Sequence, residues 1–462
     1  MSALGALAAR MSRAAFALSV VATLAAVPVN AQATTTSRLS ASHTATIAAA
    51  DVDSGTTMYT VSGIRVIHRR AANDVVAANL YLLGGVRQVT ASNAGIEPFL
   101  LQVSELGTKN YPKERLRRVM AGLGTTIGIA PSADWTMIGA RATTTTFDST
   151  WAVLADRVMR PSLQAADVEQ VRSQYLSALA QRRDSPEALV NHLADSIAFV
   201  GHPYAIDPVG SEHSIGTLQI SDLQNYLKSQ MVRSRMMLVI VGNVSRPDVE
   251  RLVSTTIGTL PEGDYRWELP PPLPSNGSAF VVAPRVLPTN YILGYFAGPP
   301  ATSPDYNALR IATAVLSGRM FNEIRVKRNL TYAVSSPFVE RAISAGGLYV
   351  TTVSTDTTLA LMRAAVAELQ LGTVTDEGLD VLIQQFLTEY FLDNETNADQ
   401  ANFLARAQLY QGDWRASTRF ADELRQVTPQ DVRRVANIYI KNVRFAYVGD
   451  ARRVPEKWFR SF

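Results

Sequence analysis

Apolar positions along this chain follow two rhythms. Short, dense apolar runs bounded by Gly, Asn or Asp read as strands, and stretches with apolar residues three and four apart read as helices. Two stretches carry both rhythms in the same order. "ISDLQNYLKSQMVRSRMMLVIVGN" offers Ser221 as a helix N-cap with Gln224 at the capping-box position, then a strand from Met237 to Val241, then Gly242-Asn243. "VTPQDVRRVANIYIKNVRFAYVGD" offers Thr428 as cap, Pro429 at the first helical position, a strand from Arg444 to Val448, then Gly449-Asp450. From cap to glycine is 21 residues in both. Upstream of each, an alternating Thr-rich strand ("TMIGARATTTTFD" and "GGLYVTTVSTDT") leads into a helix and then a longer one. The pattern predicts an internal duplication of a mixed α/β unit of about 200 residues.

"ELPPPLPSNGS" (268–278) is rich in Pro, Gly and Ser and predicts an extended linker between the halves. The predicted organisation is a first domain over 51–265, a linker over 266–278 and a second domain over 279–453. At the N-terminus, Arg10 and Arg13 precede an apolar run from Ala14 to Val27, followed by small residues around Ala31 and Ala33. This predicts a signal peptide over 1–31 and export, with the periplasm as destination.

The 47% hydrophobic and 18% charged content is that of an ordinary globular protein. Removing the predicted signal leaves 42 Lys+Arg against 40 Asp+Glu, so no polyanion-binding surface and no nucleic-acid partner are implied. No later run is long enough to span a membrane. The absence of Cys excludes disulfides, thiolate catalysis and cysteine metal ligands. There is no Gly-x-x-x-x-Gly-Lys phosphate loop and no Gly-x-Ser-x-Gly elbow.

Candidate chemistry centres on "NEIRVKRNLTYAVSS" (322–336). A helix from about Pro304 is predicted to bury Leu309, Ala312, Val315, Leu316, Phe321 and Ile324 and to end near Asn329. Arg325, Lys327 and Arg328 then lie near its negative end, and Tyr332 opens a strand. Locally, three dipole-facing cations and a half-buried strand tyrosine account for the stretch. Alternatively, Arg325 and Tyr332 point into a cleft as hydrogen-bond donors for a carbonyl or a developing oxyanion.

The run "GRMFNEIRVKRNLTYAVSS", together with "GHPYAIDPVGS" (201–211), the "VGN" and "VGD" strand ends and the duplication, resembles the M16 (insulinase/pitrilysin-like) family of zinc peptidases over nearly all of the chain after the signal. The resemblance implies an α+β fold of two duplicated LuxS/MPP-like metallohydrolase domains, each a mixed sheet packed with helices. Active members carry His-x-x-Glu-His on an early helix, with two zinc ligands and a general base. The corresponding stretch, "NAGIEPFLLQVSELGT", has Pro98, Leu101 and Gln102 at those places. The third ligand, a Glu shortly before Asp184-Ser185-Pro186, is replaced by Ser177, Ala178 and Leu179. Glu97 and Glu105 on the same helix are expected to be solvated. His192, His202 and His213 are left as an alternative metal cluster, to be decided by whether they converge.

The resemblance therefore implies half a site. Arg325 and Tyr332 would contact substrate in trans, in a chamber shared with a zinc-bearing M16 homologue, and this chain would bind no cofactor itself. A non-catalytic peptide-binding or assembly scaffold is the alternative.

Overall fold

The computed structural model describes residues 55–274 and 277–462. The predicted signal peptide, residues 51–54 of the predicted first domain, His43 and positions 275–276 of the predicted linker lie outside these residues.

Two sheets organise the chain. The first holds β1 (Thr56–Val61), β2 (Ile64–Arg70), β3 (Val75–Leu83), β4 (Thr126–Pro131), β5 (Trp135–Thr143) and β6 (Met236–Gly242) in the order β1-β2-β6-β3-β5-β4. The second holds β7 (Ala279–Pro284), β8 (Asn290–Pro300), β9 (Thr331–Ser335), β10 (Phe338–Val339), β11 (Ile343–Thr352) and β12 (Arg444–Gly449) in the order β10-β11-β8-β12-β7, with β9 also pairing β11. In each sheet the last long strand inserts centrally. β6 lies parallel to β2 and antiparallel to β3, and β12 lies parallel to β7 and antiparallel to β8. The cap-to-glycine repeat in the sequence is thus a repeat of topology.

The central strands are apolar on both sides because both faces of each sheet are covered. Leu238 and Ile240 of β6 enter the first half's own core, whereas Met237, Val239 and Val241 point the other way, as a two-residue period requires. That second face is covered by Ala401, Leu404 and Ala405 of the helix Asn397–Gln411, which belongs to the other half of the sequence. The exchange is reciprocal. Leu189, Val190 and Ala194 of the helix Pro186–Ala198 pack on Ala446 and Val448 of β12.

Polar groups seal the crossing. Asn402 on the donated helix accepts from Tyr81 Oη (2.7 Å) and Asn79 Nδ2 (3.0 Å) of β3. The buried Asp134 accepts from Tyr204 Oη (2.7 Å), Tyr410 Oη (2.9 Å) and the Ala342 amide (3.3 Å).

One predicted cap is corrected and the other holds. The helix Ile220–Gln230 is capped by Gln219, with Asp222 accepting from the Gln219 amide at 2.8 Å, so Ser221 already lies inside it. Thr428 does cap the helix Pro429–Tyr439, with Asp431 completing the box. Gly346 and Gly347 lie within β11, where a Cβ at Gly346 would come within 2.2 Å of the Phe296 ring. The described residues of the linker form no helix or strand but are tied down: Glu268 O accepts from Arg87 (2.7 Å), Pro271 O contacts His202 Nε2 (2.9 Å), and Trp267 Nε1 donates to Leu409 O (2.8 Å).

Candidate functional site

The helix Ile96–Val103 carries the positions where the family has its zinc motif. It starts at Gly95 (φ 83°), and a Cβ there would meet Val209 O at 2.5 Å. A Cβ at Gly210 would likewise meet Ala94 O at 2.4 Å, and Ser214 Oγ donates to Ala94 O at 2.9 Å. The segment "GHPYAIDPVGS" therefore props the start of this helix. Pro98 sits in the first turn, where a missing N–H costs nothing. Leu101 is 1% exposed and shares one apolar core with Phe99 and Leu179, while Ser177 and Ala178 face outward. Gln102 donates its Nε2 to Glu105, whose other oxygen pairs with the buried Arg157 at 3.1 Å.

Zinc does not fit these side chains: one proline, one core leucine, one amide and, at positions 177–179 of the facing helix Ala165–Asp184, Ser, Ala and Leu in place of an acid. Among the described residues no group of three or more His, Asp or Glu could hold a metal ion. The three histidines do not converge. His192 pairs with Asp207 (3.2 Å); His202 is clamped between the Tyr204 amide (3.1 Å) and Pro271 O, and burial holds its pKa down. His213 has its own place on the helix Glu212–Thr217.

Glu97, expected to be solvated, is 3% exposed. It forms an ion pair with the buried Arg235 (2.9 Å) and accepts from Tyr226 Oη (2.9 Å), whose pKa burial drives well up. No spacing pattern signals this cluster, because its three residues lie on separate elements.

In the second half, Arg325 and Tyr332 do come together. The helix Asp305–Met320 runs on into a wider turn, Phe321–Val326, of the five-residue register that often marks functional sites. It is closed by Lys327 N donating to Asn322 O (2.9 Å) and by Asn329 in the left-handed region (φ 51°). The chain then enters β9, where Thr331 and Val334 point inward and Tyr332 points out, 78% exposed. The Arg325 guanidinium lies 4.8 Å from the Tyr332 ring centre and 5.6 Å from that of Phe321, which is half-buried rather than buried. Among the described residues, neither the Arg325 guanidinium nor the Tyr332 hydroxyl has a hydrogen-bond or ion-pair partner.

The three cations of this stretch are thus not alike. Glu323 pairs with Lys327 and with Arg328 (2.7 Å), and those hydrogen bonds hold its carboxyl below the usual range. Arg325 is left with aromatic faces alone. The Phe321 and Glu323 contacts escaped the sequence reading, although both follow from four-residue helical spacing, Phe321 to Arg325 and Glu323 to Lys327.

Residues 65–209 match a family model described as insulinase (peptidase family M16), and residues 217–386 match one described as the peptidase M16 inactive domain. The chain is 25% identical over 394 residues to the mitochondrial-processing peptidase subunit beta of Blastocladiella emersonii, covering 82% of this chain and 84% of that one. It is also 25% identical over 258 residues to the human cytochrome b-c1 complex subunit 1, a match spanning 55% of this chain and 54% of the relative.

Among solved structures, a protease from Helicobacter pylori superposes with a TM-score of 0.78 at 18% identity, covering 85% of this chain and 99% of that one. A peptidase M16 inactive domain from Pseudomonas fluorescens gives 0.77 at 19% identity, covering 86% and 98%. These likenesses show the fold. The two family matches take in more than half of the sequence between them, and with the duplicated topology and the altered metal positions they lead to one statement: the chain belongs to the M16 (insulinase) peptidase family and carries that family's inactive domain.

Proposed function

We propose that the chain is the zinc-free, substrate-binding subunit of a heteromeric periplasmic peptidase that degrades unfolded peptides. The observation that carries this reading is the Arg325–Tyr332 pair. A guanidinium and a phenol lie side by side, exposed or half-exposed, and neither is spent on an intrachain hydrogen bond. In a peptide chamber closed by a second M16 chain, both would donate to a substrate carbonyl oxygen, with a hold that tightens as that oxygen gains negative charge. The partner supplies the metal and the activated water. This chain supplies binding, orientation and charge stabilisation. Placement in the periplasm rests on the basic and apolar N-terminal run. Among the described residues no helix is long and apolar enough to cross a membrane.

A second reading, a non-catalytic peptide-binding or assembly scaffold, draws support from the similarity to a subunit of the cytochrome b-c1 complex. Co-expression with a homologue bearing His-x-x-Glu-His decides between them. The proposal expects a stable complex burying on the order of 2,000 Å² or more, with chelator-sensitive peptide cleavage that neither chain shows alone. Cleavage by the partner at full rate without this chain would leave only the scaffold.

A further inference from the structure

Phe321 makes a contact that core packing does not require. Its ring is half-buried against the second-half core, and it also touches the Arg325 guanidinium one turn further on, at 5.6 Å. Tyr332 takes up the same guanidinium from β9 at 4.8 Å. A guanidinium resting on aromatic faces keeps the N–H groups in its own plane available, which a salt bridge would consume. Glu323, two residues before Arg325 in the chain, engages Lys327 and Arg328 and so does not draw Arg325 away.

We infer that Phe321 is a positioning residue, which with Tyr332 holds the Arg325 guanidinium in a fixed, hydrogen-bond-free pose facing the substrate chamber. The inference rests on the proposed carbonyl-binding role of Arg325 and deepens it. An exposed arginine samples many rotamers, and each one frozen beforehand is a loss that binding need not meet. The wide turn Phe321–Val326 links the two residues without a flexible segment between them.

The test uses the purified full chain. Phe321→Leu keeps apolar packing but removes the aromatic face, and Phe321→Tyr keeps both. The rate at which phenylglyoxal modifies Arg325, read by peptide mass mapping, should rise several-fold in Phe321→Leu and stay at the wild-type value in Phe321→Tyr, with Tm similar in the two variants. A purely structural role predicts equal modification rates in Leu and wild type, and that result overturns the inference. So does failure of Phe321→Tyr to preserve the wild-type rate. As a second readout, affinity for a fluorescein-labelled unstructured peptide should weaken several-fold in Phe321→Leu and should not weaken further when the change is added to Arg325→Ala. If Arg325→Ala leaves that affinity unchanged, the carbonyl-binding reading fails. The modification rates still decide whether Phe321 positions the guanidinium.

Discussion

Glu97 and Arg235 show what a residue's neighbours do to its meaning. A glutamate beside the altered zinc motif reads as surface charge, yet it is buried and shared between Arg235 and Tyr226. Removing one partner of a buried pair strands the other, so Glu97→Ala should cost on the order of 3–5 kcal/mol and lower Tm strongly. The double change Glu97→Ala with Arg235→Leu should cost less than the sum, measured as a double-mutant cycle in denaturant. Glu340 gives a pH signature. Burial raises its carboxyl, but Arg310 (2.9 Å) and Arg406 (2.8 Å) outweigh this and bring it down to about 2 from an ordinary 4.5. With the folded value depressed, the stabilisation is complete above about pH 4.5 and is lost as pH falls toward 2, an effect on the order of 3 kcal/mol. Glu340→Gln should flatten Tm against pH over that window and leave the slope elsewhere unchanged. Neither pair was legible in the sequence, because partners separated by 30 to 138 positions leave no spacing signal. Arg325 and Tyr332, seven apart in one motif, were legible.

At the scale of the element, the helix Ile96–Val103 retains its place in the fold after its metal chemistry has gone. Leu101 now belongs to the core, and Gln102 closes a polar link through Glu105 to Arg157. A Pro98→His, Leu101→Glu, Gln102→His variant should therefore bind no stoichiometric zinc by elemental analysis. The facing helix has Ser177, Ala178 and Leu179 where the third ligand would stand, and a carboxylate at position 101 should lower Tm by introducing an unpaired buried charge. About one zinc per chain in that variant would show that a third ligand is present after all. Periodicity and caps located most elements, including β6, β12 and the Thr428 cap. The misplaced cap at Ser221 shows the limit, since Gln219 and Asp222 form the same reciprocal pair with residue types that rank lower as caps.

On the scale of the whole molecule, the duplicated sequence foretold two similar units, but nothing in it foretold that each lends a helix to the other's sheet. Val190 and Leu404 read as ordinary amphipathic positions, and only their destination is unusual. The exchange predicts one cooperative thermal transition for both halves. Leu404→Ala should lower that single transition by about 2–5 kcal/mol of stability rather than split it, and two separated calorimetric peaks would show that the halves melt independently.

The central claim is that this chain contributes Arg325 and Tyr332 to a peptidase site completed by another chain. Turnover of the two-chain complex carrying Tyr332→Phe tests it most directly, because the ring that stacks on Arg325 remains and only one exposed hydroxyl is lost. Tm should be unchanged and kcat should fall on the order of a hundredfold, the effect of removing one oxyanion-type donor. Full activity in that complex would contradict the claim.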